Sequence, residues 1–141
     1  MGRKLVIITG PTAVGKTDFC IEAALKYGSP VISCDSRQIY KEMTIGTAVP
    51  DASQLAAVKH YFIHSIHVTE PYSSGQYEID ALTLIDRLFS EGRETLVMCG
   101  GSGFYIDAVC NGLDCLPVPP PELREELTQR VKTEGVGALA E

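Results

Sequence analysis

The sequence predicts an α/β fold, a parallel sheet flanked by helices, on three observations. Short apolar runs alternate with segments of helical periodicity, the pattern of repeated strand–helix–strand units. One run, Leu5-Val-Ile-Ile-Thr9, leads directly into Gly10-Pro-Thr-Ala-Val-Gly15-Lys16-Thr17, and a helical segment follows at once. A second run, Pro30-Val-Ile-Ser-Cys34, ends on an acidic residue, Asp35. In open parallel sheets the carboxyl ends of the strands form the ligand crevice, so both features belong at one edge.

Each element has a local reason. Lys4–Thr9 reads as the first strand. Residues 17–27 read as a helix, with Phe19, Cys20, Ala23, Ala24 and Tyr27 at three-to-four spacing and Gly28 as the stop. Residues 30–34 read as the second strand, residues 51–59 as a short helix, and residues 61–66 as a third strand. Ser73 and Gln76 have capping-box spacing ahead of Ile79, Leu82, Leu84, Ile85, Leu88 and Phe89, which places a helix over about residues 76–91. Residues 95–99 read as a buried strand stopped by Gly100-Gly101, and residues 102–111 as a helix. Four prolines between 117 and 121 then break the pattern. Pro121 suits a first helical position, Glu122, Glu125 and Glu126 suit the positive helix end, and Leu123, Leu127 and Val131 form a stripe.

The 10–17 segment fills every fixed position of the phosphate-loop pattern, which makes the expected fold P-loop NTPase-like. Gly10 and Gly15 let the backbone curl, so that the N–H groups of Pro11's neighbours Thr12, Ala13 and Val14 and of Gly15 turn toward phosphate oxygens. Lys16 adds a point charge, the helix contributes its positive end, and the Thr17 hydroxyl suits magnesium. The expected ligand is a diphosphate or a nucleotide such as ATP. Asp35 has three roles open to it: general base, support for a metal, or cap of the following turn. Gly100-Gly101-Ser102-Gly103 is a second glycine-rich turn on the same edge. The strand before it carries no acid at its end, which argues against a motor-type ATPase. Arg37 and Lys41 bring positive charge near the crevice, while His60, His64 and His67 fit no zinc spacing and read as ordinary histidines.

Composition limits the classes. At 141 residues, with 45% hydrophobic and 21% charged residues, the chain suits one soluble domain. No apolar run approaches a membrane span and no leader pattern opens the chain, so the expectation is a cytoplasmic protein with no membrane partner, and a monomer. Five cysteines without a C-x-x-C pair read as reduced and structural. The net charge of −6 is uneven. Residues 1–70 hold seven Lys/Arg and six Asp/Glu (+1), and residues 71–141 hold five and twelve (−7). That balance lacks the broad basic face usual in proteins that grip nucleic acid.

Taken in order, Gly10–Thr17, Asp35-Ser-Arg-Gln-Ile-Tyr40, Ile45-Gly-Thr-Ala48 with Pro50, His60, Pro71-Tyr-Ser73 and Gly100-Gly-Ser-Gly-Phe-Tyr105 resemble the tRNA dimethylallyltransferases. The resemblance spans about residues 5–125, and its D-S-x-Q-x-Y and I-G-T-A blocks are far more particular than the phosphate loop. It implies transfer of a dimethylallyl group from dimethylallyl diphosphate to the exocyclic amine of the adenosine beside the tRNA anticodon. It implies the diphosphate on Gly10–Thr17, Mg2+ on Thr17, and Asp35 as the base. It implies tRNA contacts from Asp35, Ser36, Arg37, Gln38, Ser102 and Arg124, with Lys16 and Thr17 catalytic through the leaving group. Val49 stands where the family has Lys, and Tyr61 where it has the second His of a pair. The family is longer, so residues 1–116 are expected to be a catalytic core and 117–141 the start of a truncated helical insertion. A P-loop small-molecule kinase, an adenylate isopentenyltransferase and a nucleotide-binding fragment without turnover are the rival readings.

Overall fold

The computed structural model describes residues 2–114, 117 and 119–139. Four parallel strands, β1 (Lys4–Ile8), β2 (Val31–Ser33), β3 (His60–Tyr61) and β4 (Thr95–Cys99), form one sheet in the order β1-β4-β2-β3. Helices α1 (Lys16–Tyr27), α2 (Ala52–Ala57) and α3 (Ser74–Ser90) connect them, and α4 (Gly103–Asn111) follows β4. A further helix, α5 (Pro121–Glu134), leads into a 3-10 turn at Val136–Leu139.

The strand order matters more than any single element. Because β4 inserts between β1 and β2, its register joins Ile8 to Cys99 on one side and Ser33 to Cys99 on the other. The tips of β1, β4 and β2 therefore lie side by side, and the loops that leave them share one edge.

Alternation along the strands divides the core between the two faces of the sheet. Leu96, Met98 and Ile32 pack with Tyr77, Ala81, Leu84, Ile85 and Leu88 of α3 and Tyr105 of α4. Val97 and Val31 pack on the other face with Ala24 of α1. The aromatic part of the first layer is tightly specified: the Tyr77 and Tyr105 rings stack at 4.1 Å, and the Tyr77 hydroxyl donates to the Ser33 carbonyl at 2.9 Å. That bond satisfies the one polar atom of a fully buried ring.

Several expectations shift once packing is known. In α1 the buried face is Cys20, Ile21 and Ala24, whereas Phe19 and Tyr27 are 60% and 46% exposed. Small residues let α1 lie close on β4, and the bulky aromatics are left outside. In α3 Ile79 and Leu82 face out, and Tyr77 and Ala81 take the core positions beside Leu84, Ile85 and Leu88. Ser73 caps α3 through the Gln76 N–H as expected, but the Gln76 side chain turns to Asp80 instead of completing the box. The complete capping box belongs to α2, where Asp51 and Gln54 exchange bonds.

The third strand is shorter and earlier than 61–66. After Tyr61, Phe62 and His64 adopt positive φ (62° and 46°), which ends the extended run, and Ile66 returns only as an isolated bridge to Tyr40. Helix α5 begins at Pro121, as its sequence predicts, yet none of its residues is buried and its stripe leaves Leu123 and Leu127 exposed. Among the described residues, no helix is long and apolar enough to cross a membrane. The cysteines at 20, 34, 99 and 110 are free thiols, and Cys115 lies outside the described residues.

Candidate active site at the strand tips

The phosphate loop is a strained backbone held by glycine. Gly10 opens it against β1, Ala13 takes φ 66°, and Gly15 takes φ 83° as the N-cap of α1. No side chain caps that helix end, so its first N–H groups remain free for an anion. The Lys16 ammonium donates to the Pro11 carbonyl and so lies over the loop.

Asp35 follows β2, and its Oδ1 accepts the backbone N–H groups of Arg37 (2.8 Å) and Gln38 (3.2 Å). The carboxylate thus caps the turn after β2 with one oxygen and keeps Oδ2 out of that cap. Gln38 is fixed in turn: its Nε2 donates to the Thr47 and Ala48 carbonyls, both at 2.9 Å. This bond pair clamps the 47–48 segment across the crevice, with Ala48 itself at φ 52°.

Between these pieces lies a cavity of about 280 Å³. The loop contributes Gly10, Thr12, Ala13, Gly15, Lys16 and Thr17 to its wall, and the β2 side contributes Asp35 and Gln38. Phosphate loop and carboxylate therefore face one space. Pro11 and Val14 belong to the loop but turn to solvent and do not line it.

Ser36 and Ser102 meet at the rim. The Ser102 hydroxyl accepts the Ser36 N–H at 2.9 Å and donates to the Ser36 hydroxyl at 3.1 Å, joining the turns after β2 and β4. Arg37 is exposed beside them. Arg124 is not brought to the cavity: it sits on α5, whose main contacts are with the 3-10 turn after it.

The crevice also holds residues that reading along the chain did not assign to it. Thr47, Ala48 and Pro50 line the cavity, and their only signal was the I-G-T-A block. Gln54 reaches across from α2 to Asp18 of α1 at 2.7 Å, a link with no sequence signal beyond capping spacing. His60 forms part of the wall, its Nδ1 2.9 Å from the Val58 carbonyl, and burial holds its pKa below the usual histidine range. Cys20 and Cys99 complete the floor.

The other two histidines lie elsewhere: His67 pairs with Glu42 at 2.6 Å, and Lys41 Nζ approaches its other nitrogen rather than the crevice. No group of three or more His, Cys, Asp and Glu side chains able to hold a metal occurs among the described residues.

Gly100 and Gly101 close the gap between loop and carboxylate. A Cβ on Gly100 would lie 2.6 Å from the Cys34 carbonyl carbon, and one on Gly101 would lie 3.8 Å from the Gly10 carbonyl oxygen. The turn after β4 is thus threaded between its two neighbours, and at residue 100 the backbone admits glycine alone.

This arrangement has counterparts. The family model described as IPP transferase matches residues 38–141. The chain belongs to the IPP transferase family. It is 46% identical over 137 residues to tRNA dimethylallyltransferase 2 of Parabacteroides distasonis, covering 97% of this chain and 46% of that protein. It is 49% identical over 138 residues to the Porphyromonas gingivalis enzyme of the same name, again covering 97% and 46%.

Among solved structures it resembles the full-length tRNA isopentenylpyrophosphate transferase of Bacillus halodurans. That match has 34% identity and a TM-score of 0.75, and covers 99% of this chain and 46% of that one. A eukaryotic dimethylallyltransferase acting on tRNA shares the fold with a TM-score of 0.76 at 23% identity, over 94% of this chain and 36% of that one. The chain thus spans about half the length of the curated relatives it matches, and the family membership and P-loop NTPase-like parallel sheet follow from the shared half.

Proposed function

We propose that the protein of which this chain is a part transfers a dimethylallyl group from dimethylallyl diphosphate to the exocyclic amine of an adenosine next to the tRNA anticodon. One observation carries the reading: the phosphate loop, with Lys16 and Thr17, and the Asp35 carboxylate line the same cavity. The names of the relatives, tRNA dimethylallyltransferases, supply the substrate class.

The chemistry follows from what an adenine amine lacks. Its lone pair is delocalised into the ring, so it attacks only an activated carbon and must lose a proton. Loop N–H groups, the open end of α1 and Lys16 stabilise the charge that grows on departing diphosphate. Asp35 takes the amine proton, a contribution of roughly 10²–10⁴-fold for a positioned base. The cap bonds to Oδ1 hold the carboxylate on its turn while Oδ2 works. Ser36, Arg37 and Gln38, with Ser102 across the rim, are placed to meet the tRNA, and the target base must leave its stack to enter the crevice.

The donor set suits magnesium. Thr17 offers a hard oxygen, and the absence of an all-protein cage among the described residues fits an ion ligated mainly by phosphate oxygens and water. Thr17 would hold it, and when bound it supplies positive charge to the diphosphate. We assign residues 1–116 to this catalytic core and 117–141, where α5 leaves the sheet, to the start of a helical insertion. The protein is proposed to work in the cytoplasm as a monomer.

Calorimetry decides between this reading and a P-loop kinase. With magnesium present, dimethylallyl diphosphate should bind at least tenfold more tightly than ATP, and Lys16→Ala should abolish most of that affinity. A clear preference for ATP would reject the proposal.

A further inference from the structure

The phosphate-loop cavity has a floor and an outer wall, and the two are built differently. The floor is sheet and helix: Val31 and Ser33 of β2, Cys99 of β4 and Cys20 of α1. The outer wall is a strap of turns that supplies Thr47, Ala48 and Pro50 before α2 begins. These side chains are small, so the path of the backbone sets how far the wall stands from the loop.

That path is strained at Ala48, a residue other than glycine at φ 52°. Such a conformation persists only where its surroundings fix it. Gln38 fixes it from the turn after β2. Its Nε2 donates to the Thr47 carbonyl and to the Ala48 carbonyl, both at 2.9 Å. A carbonyl only accepts, so the two bonds use both N–H groups of the amide and set its orientation. Among the described residues no other protein group donates to either carbonyl. The far end of the strap is tied as well. Gln54 accepts the Asp51 N–H at 2.9 Å and donates to Asp18, the neighbour of Thr17, at 2.7 Å.

We infer that Gln38 is a positioning residue for the prenyl diphosphate, holding the 47–50 strap as a fixed wall that limits the cavity to a tail of one isoprene unit.

The inference deepens the proposed transfer and rests on it. A diphosphate held by the loop N–H groups and Lys16 leaves its tail to lie between floor and strap. Val31, Ala48, Pro50 and Ile63 give that space apolar walls. In an open groove a longer tail would bind more tightly, because it would bury more apolar surface. A fixed wall reverses the sign, since a second isoprene unit then meets the strap. With both N–H groups engaged, the Gln38 amide serves the wall, and its exposed neighbours Ser36 and Arg37 face the rim.

Calorimetry on the 141-residue chain with magnesium compares pyrophosphate, dimethylallyl diphosphate and geranyl diphosphate. In the parent, geranyl diphosphate should bind about tenfold more weakly than dimethylallyl diphosphate, or weaker still. Equal or tighter binding of the longer tail would overturn the wall. Gln38→Met keeps the length of the side chain and removes both N–H groups. The variant should hold pyrophosphate as the parent does, yet lose most of the discrimination between the two tails. Unchanged discrimination, or loss of pyrophosphate binding along with it, would refute the positioning role. Hydrogen exchange gives a reading without ligand: the amides of residues 44–54 should exchange several-fold faster in Gln38→Met while those of β4 keep their rates. Equal rates over 44–54 would show that the strap does not depend on Gln38. ATP against dimethylallyl diphosphate on the parent tests the transfer reading separately, because a preference for ATP sinks that reading whatever the variant does.

Discussion

Two glycines three residues apart should respond oppositely to the same substitution. At Gly100 an added methyl group would lie 2.6 Å from the Cys34 carbonyl carbon, 2.7 Å from its oxygen and 2.9 Å from its sulfur. Restoring an ordinary 3.4 Å contact with the carbonyl carbon requires about 0.8 Å of separation between the tips of β2 and β4. The bonds that join those tips are Cys34 N–H to the Cys99 carbonyl at 2.8 Å and Ser102 N–H to the Cys34 carbonyl at 3.2 Å.

Stretched by that amount, neither remains a good hydrogen bond. Each is worth about 0.5–1.5 kcal/mol, and the displaced core adds strain, so Gly100→Ala should cost roughly 2–3 kcal/mol. For a chain of this length that is a fall of about 6–12 °C in Tm. At Gly103 nothing lies within 4 Å of the added atom, and the residue is the first of α4. There Gly→Ala should raise Tm by about 1–3 °C, chiefly by restricting the unfolded chain. Thermal unfolding followed by circular dichroism reads both. If Gly100→Ala melts within 2 °C of the parent, or if the two variants move together, the threaded turn after β4 is not what holds the strand tips.

Asp35 separates its structural and chemical roles by substitution. Asp35→Asn keeps an oxygen for the Arg37 and Gln38 N–H groups and should leave Tm nearly unchanged, whereas Asp35→Ala should lose about 0.5–2 kcal/mol with the cap. In a polypeptide of the relatives' full length, both should lower turnover by about 10²–10⁴-fold while leaving diphosphate binding in place, and turnover near the parent rate would remove Asp35 as the base. Stability should also fall in alkali. Burial pushes the Cys34 thiol up to about 12 and also raises the Tyr77 phenol, so the folded state holds protons that the unfolded chain releases. Their contribution is complete below pH 9 and is lost as pH rises toward 12, with a slope of up to about 1.4 kcal/mol per pH unit for each group. A Tm independent of pH from 9 to 11 would contradict the burial of both.

Much of this was legible along the chain because its causes are local. The phosphate loop is a run of eight residues whose glycines, lysine and threonine must be consecutive to act. The stop at Gly28, the start at Pro121 and the strand at 95–99 likewise depend on near neighbours. What stayed hidden depended on partners far away in sequence. Phe19 and Tyr27 have the right spacing for a buried face, but β4 accepts only the small side chains of Cys20 and Ala24 at close range. Residues 62–66 are apolar enough for a strand, and backbone at positive φ removes them from one.

The sequence by itself determined that a phosphate loop would sit between a strand and a helix, and that an aspartate would end another strand, since each needs only its own neighbours. The parallel-sheet pattern already put the two at one edge; tertiary structure decided that β4 lies between them, because the strand order inserts it between β1 and β2. It alone decided that Gln38 would clamp the 47–48 segment and that Ser36 would meet Ser102. The physical reason is the same in each case: hydrogen bonds and steric contacts act over a few ångströms in space, and only the order of strands in the sheet brings distant residues within that range.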